Sequence, residues 1–73
     1  MDITPAQAKK IVKAALKEWS YSNKLKAKTV SFQDLARCSR VFVSVLDWKG
    51  TDNAWLDLKA IARDNGFYIQ SWI

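Results

Sequence analysis

The sequence lacks histidine entirely and has one cysteine, Cys38, among its 73 residues. One cysteine cannot form an internal disulfide, and without histidine the usual zinc ligand sets cannot be assembled. Histidine is also the commonest general acid or base, and Asp57 and Asp64, seven residues apart, are interpreted as solvated charges rather than a catalytic pair. We therefore expect no metal site and no catalytic residue, and a protein that is not an enzyme.

Glycine and long apolar runs are scarce as well. Gly50 and Gly66 are the two glycines in the chain, so a glycine-rich phosphate loop is excluded. No apolar run approaches the ~20 residues of a membrane helix, and the first ten residues, MDITPAQAKK, lack the hydrophobic core of a signal peptide. We expect a cytoplasmic protein with no cofactor, no small-molecule substrate and no membrane partner.

The composition is that of a folded domain with unevenly distributed charge. Hydrophobic residues make up 49% and charged residues 26%, unlike a disordered chain, and the length predicts one globular domain over residues 1–73 with a modest core. The net charge is +5, yet residues 1–40 hold nine basic and three acidic residues, and residues 41–73 hold three and four. The basic first half indicates an anionic partner, or simply a soluble surface.

A helix is predicted from Pro5 to about Tyr21 or Ser22. Thr4 is placed to cap it, Gln7 completes a capping box, and Asn23 is a plausible left-handed terminator. Spacing at 100° per residue separates an apolar stripe from a basic one. The apolar stripe is Ala8, Ile11, Val12, Ala15, Leu16 and Trp19, and the basic stripe is Lys9, Lys10, Lys13 and Lys17.

Three strands and a second helix are predicted in the rest of the chain. The near-continuous apolar run RVFVSVLDW, residues 40–48, is typical of a central strand. Before it, alternation favours a strand at about 27–32, although a short helix over FQDLARC is also compatible with the residues. A helix over about 53–65 ends at Asn65-Gly66, and FYIQSWI forms the last strand.

The predicted order is α-β-β-α-β, which indicates a small α+β two-layer sandwich. Two helices would cover one face of a three-stranded sheet, and the last two strands would be joined by a right-handed crossover if they are parallel neighbours. In element order alone, this arrangement resembles a split β-α-β, ferredoxin-like fold that lacks its first strand. A resemblance at this level implies nothing about function.

The second face of the sheet is the candidate working surface. If the valines of the central strand meet the helices, the opposite face is expected to carry large apolar side chains whose exposure would be costly. Three explanations stay open: residues 33–40 or the chain ends cover this face, a protein or second copy binds it, or its aromatic rings stack on unpaired bases. The predicted face consists of Phe42, Leu46, Trp48, Tyr68 and Trp72.

These observations predict a non-catalytic interaction module. A protein partner or a homodimer is the first expectation, through the aromatic face, the basic first helix or both; nucleic-acid binding through basic residues is the alternative. Small size without catalytic residues suggests an accessory or regulatory protein of a mobile element. The predicted basic surface is Lys9, Lys10, Lys13 and Lys17 on the first helix, with Lys28, Arg40 and Lys49 at strand ends.

Overall fold

A computed structural model of the protein describes residues 3–32 and 38–72, with the side chains of residues 3–29 and 40–71. The elements are α1 (Pro5–Glu18), β1 (Lys24–Phe32), β2 (Cys38–Leu46), α2 (Asp52–Asp64) and β3 (Tyr68–Trp72). This order confirms the predicted α-β-β-α-β arrangement. Residues 33–37, over which a loop or helical turn was weighed, lie outside the described residues.

The helix ends follow from local hydrogen bonds. The Thr4 hydroxyl accepts a bond from the Gln7 amide at 3.2 Å, and the Gln7 side chain accepts one from the Thr4 amide at 3.0 Å, so the predicted capping box is present. The Thr51 hydroxyl similarly accepts from the Ala54 amide at 3.1 Å at the start of α2. Gly66, at φ 83°, occupies the left-handed position that follows α2.

Helix α1 is shorter than the predicted helix. It ends at Glu18, and the left-handed residue that follows is Ser20, at φ 61°, rather than Asn23. The Tyr21 amide then donates to the Leu16 carbonyl at 2.9 Å, which closes a Schellman motif. Asn23 instead uses its side-chain amide to bind the carbonyls of Leu46 and Asp47, so it links the start of β1 to the end of β2.

The sheet has the order β1-β2-β3, with β1 antiparallel and β3 parallel to β2. Strand β1 begins at Lys24, three residues before the predicted start at about 27, and pairs with β2 along its whole length. β2 and β3 are direct neighbours in the sheet, with Val43 beside Ile69.

Both helices cover the face of the sheet that carries the valines of β2. The buried core cluster is Ala8, Val12 and Leu16 of α1, Val41, Val43 and Val45 of β2, Leu58 and Ala62 of α2, and Phe67. Ile11 and Trp19, which were expected on the apolar stripe of the helix, are half-buried around this cluster, and so is Ile69. Among the described residues, no helix is both long enough and apolar enough to span a bilayer.

Candidate functional site

The register of the sheet defines the surface that the helices leave uncovered. Side chains alternate between the two faces along each strand, and residues paired across neighbouring strands point to the same side. The residues that alternate with the buried valines in β2, together with their partners in β1 and β3, therefore share the other face. We call this surface the open face. Its described side chains are Lys24, Lys26 and Lys28 of β1, Arg40, Phe42, Ser44 and Leu46 of β2, and Tyr68 and Gln70 of β3.

Three lysines form a row along β1, which we call the lysine ladder: Lys24, Lys26 and Lys28. They pair with Leu46, Ser44 and Phe42 of β2, respectively, and all three are exposed. Residues two apart in a strand are separated by about 6.6 Å, so the ladder presents evenly spaced charges along one edge of the sheet. Within the described part of the chain, none of the three forms an ion pair.

An aromatic pair lies at one end of the open face. The rings of Phe42 and Tyr68 are stacked with centroids 5.4 Å apart and an interplanar angle of 26°. The Arg40 guanidinium lies 5.1 Å from the centre of the Tyr68 ring and also donates a hydrogen bond to the Tyr68 hydroxyl. Tyr68 nevertheless remains 43% exposed, so one ring of the pair is accessible to a ligand.

The middle of the open face is polar. Ser44 is only 4% exposed, and its hydroxyl oxygen accepts a hydrogen bond from the Gln70 side-chain amide at 3.2 Å. Beside it lies an open cavity of about 370 Å³ lined by Lys26, Lys28, Ser44 and Leu46. The cavity is therefore lined by two lysines, a serine and a leucine.

The large apolar side chains of this face are only partly exposed. Phe42 and Leu46 are half-buried, and each is paired with a lysine of the ladder. The aliphatic stem of lysine can lie along apolar surface while its charge stays in water, and the register places one lysine beside each of these two residues. Among the described side chains, this face therefore shows partly exposed apolar residues beside lysines; residues 33–37 and the chain ends, which were weighed as a cover, and the Trp72 side chain lie outside the described part of the structure.

The placement of Trp48 on this face was wrong. β2 ends at Leu46 and Asp47 adopts φ 54°, so the alternation of the strand does not continue to Trp48. The Trp48 ring instead packs edge-on against Trp55, at 5.0 Å between centroids, and against Tyr21, at 5.7 Å. It belongs to the rim of the helix-covered core.

The other predicted residues are distributed over three regions. Phe42, Leu46 and Tyr68 share the open face, and Lys28 and Arg40 join them there. Trp72 has the register position beside Leu46, and its side chain lies outside the described ones. Lys49 is exposed in the loop after β2, and the remaining lysines, Lys9, Lys10, Lys13 and Lys17, are exposed on α1.

Lys24 and Lys26 are the candidate residues that sequence reasoning missed. The run Lys24-Leu25-Lys26-Ala27-Lys28 alternates between polar and apolar residues, which is the pattern of a half-buried strand. Extending the predicted strand back to Lys24 on this signal would have placed the whole ladder on one face.

No protein-family model, curated protein or solved structure matches this chain. Within the described ranges, no three side chains of the histidine, cysteine, aspartate or glutamate types are grouped as metal ligands. The chemistry of the open face is therefore the basis for assigning a function.

Proposed function

We propose that the protein is a non-catalytic binding module that holds single-stranded RNA or DNA on its open face. One observation carries the proposal: the register of the three strands puts the lysine ladder on the same face as the partly exposed Tyr68 side chain. Proteins that bind single strands combine these two features, a basic track for the phosphates and aromatic rings for the bases.

The ladder supplies the electrostatic part of binding. Its step of about 6.6 Å is close to the separation of successive phosphates in an extended strand, so consecutive phosphates can each meet one ammonium group. None of the described residues on the open face is acidic. A nucleic-acid backbone running along β1 would therefore meet positive charge over three successive contacts.

The aromatic pair supplies stacking. With phosphates along β1, the bases extend across β2 towards β3, where Tyr68 of the stacked Phe42–Tyr68 pair is 43% exposed. Stacking of a base on such a ring contributes about 1–3 kcal/mol, without strong preference for one base. The cavity beside Ser44 lies between the ladder and the centre of the sheet and gives a second place for a base.

A protein partner, the first expectation from the sequence, is less well supported by this arrangement. Lysine is depleted at the centres of protein interfaces, and an apolar partner laid on this face would meet the lysine ladder along one side. Pairing of two copies through their β1 edges would also bring the ladders together, which like-charge repulsion opposes. Cytoplasmic location and a role in a mobile element stay predictions.

The proposal is tested by replacing the ladder with neutral residues. In K24Q/K26Q/K28Q, we expect the affinity for a fluorescent oligothymidylate at low salt to fall roughly tenfold or more. The slope of log affinity against log salt should decrease by about 2, because each single-strand phosphate contact contributes about 0.7. Fluorescence anisotropy over a salt series measures both quantities.

The matched control is K10Q/K13Q/K17Q, which removes the same charge from α1. It should bind oligothymidylate with close to the wild-type affinity, and circular dichroism should show both variants folded. Equal loss in the two variants would mean that overall charge, rather than the open face, determines binding. Absence of wild-type binding at low salt would refute the proposal and return a protein partner to first place.

A further inference from the structure

The outer side of α1 is a second basic surface that the open face does not use. Ala8, Val12 and Leu16 are buried against the sheet, so the opposite side of the helix faces solvent. Lys10, Lys13 and Lys17 lie on that side and are all exposed, with Lys9 on its flank. We call Lys10, Lys13 and Lys17 the helix lysines.

The charge of this side of α1 is almost unopposed. Helix α1 has no acidic residue before Glu18, and within the described residues no ion pair involves the helix lysines. Asp64 of α2 lines a groove together with Lys10, which is one of the three helix lysines. Lys10 and Lys17 are seven residue steps apart, or about 10 Å along the helix axis, so the three lysines can follow a run of phosphates.

The outer side of α1 offers phosphate contacts and no stacking. The residues exposed beside the helix lysines include Ala6 and Ala14, whose small side chains allow a nucleic-acid backbone to approach closely. No aromatic side chain is among the exposed residues of α1. Such a surface recognises charge density rather than bases, and a duplex presents more phosphates per unit length than a single strand.

The two basic surfaces face in opposite directions. The core cluster lies between the buried side of α1 and the valine face of β2, so α1 and the open face form the two outsides of the sandwich. The Cα envelope measures 19 Å in its smallest dimension. A single strand lying along the ladder would have to leave the open face and pass around an edge of the molecule to reach the helix lysines.

We infer that α1 binds the phosphate backbone of duplex nucleic acid, so that one copy of the protein joins a duplex to a single strand. The duplex half of this inference depends on the helix lysines alone, whereas the single-strand half rests on the proposed function. The expected activity is bridging of two separate nucleic-acid molecules without chemical change to either.

Bridging is measured by energy transfer between a donor-labelled oligothymidylate and an acceptor-labelled short duplex of unrelated sequence. Wild-type protein should raise the transfer efficiency while sedimentation shows one protein copy per complex. K10Q/K13Q/K17Q should lose roughly tenfold or more in duplex affinity, keep oligothymidylate binding and lose energy transfer. K24Q/K26Q/K28Q should keep duplex binding, lose oligothymidylate binding and also lose energy transfer.

Measuring oligothymidylate binding and duplex binding separately distinguishes failure of this inference from failure of the proposed function. If oligothymidylate fails to bind but duplex binding depends on the helix lysines, the proposed function and bridging fail while the duplex site on α1 stands. If the duplex displaces oligothymidylate, or K10Q/K13Q/K17Q keeps its duplex affinity, the second site is refuted and the open face is unaffected. Bridging would be refuted if each nucleic acid binds the protein in a separate titration but the mixture of both shows no energy transfer.

Discussion

Replacing Phe67 with alanine is expected to lower the free energy of unfolding by about 3–5 kcal/mol. Phe67 is 1% exposed, is the largest fully buried side chain among the described ones, and belongs to the same cluster as Leu58 and Ala62 of α2. A domain of this length has a total stability of about 4–11 kcal/mol. We therefore expect much of the stability to be lost, as measured by urea denaturation followed by tryptophan fluorescence.

The matched control is the next residue, Tyr68, changed to alanine. Its side chain lies on the opposite face and is 43% exposed, so the free energy of unfolding should fall by only about 1 kcal/mol. Its loss should instead weaken oligothymidylate binding by roughly fivefold or more, because the accessible stacking surface is removed. Equal destabilisation by the two substitutions would show that the open face is part of the core.

Replacing Gly50 with alanine is expected to destabilise the protein by about 1–3 kcal/mol through crowding. A Cβ atom at this position would lie 2.8 Å from Cη2 of Trp48, closer still to its Cζ2, and 2.9 Å from Cε2 of Tyr21. Both rings are held in edge contacts, Trp48 with Trp55 as well as with Tyr21, so they cannot move aside independently. The measurement is again urea denaturation.

Gly66 provides the comparison for this substitution. A Cβ atom at Gly66 would meet nothing within 4 Å, so G66A causes no crowding. The expected loss of stability in G66A comes instead from the left-handed backbone at φ 83°. That cost is about 1–2 kcal/mol. In G50A, unlike G66A, the near-ultraviolet circular dichroism of the aromatic cluster should also change. An unchanged spectrum and wild-type stability in G50A would mean that the cluster has room for a methyl group.

The sequence predicted the fold well where the signals were local. The capping box of Thr4 and Gln7, the glycine after α2 and the alternation of valines in β2 each act over a few residues. These signals identified both helices, the central strand and its buried face. The order α-β-β-α-β followed from them.

The face assigned to Trp48 and the start of β1 were predicted wrongly because they depend on a backbone angle and on pairing between distant residues. Trp48 leaves the open face because a single residue, Asp47, adopts positive φ, which residue type alone does not reveal. The start of β1 was missed because Leu25 and Ala27 are a weak strand signal, and pairing with β2 stabilises that segment. The alternation of residues 24–28 indicates that the three lysines share a face, but the register of β1 against β2 was needed to place them beside Leu46, Ser44 and Phe42.

The central claim is that the open face is the binding surface, and an NMR titration tests it most directly. Unlabelled oligothymidylate would be added to ¹⁵N-labelled protein at low salt, with the amide shifts followed residue by residue. We predict that the largest shifts fall at Lys24–Lys28, around Ser44 and at Tyr68–Gln70. Shifts confined to α1, α2 or the loop between β2 and α2 would contradict the claim.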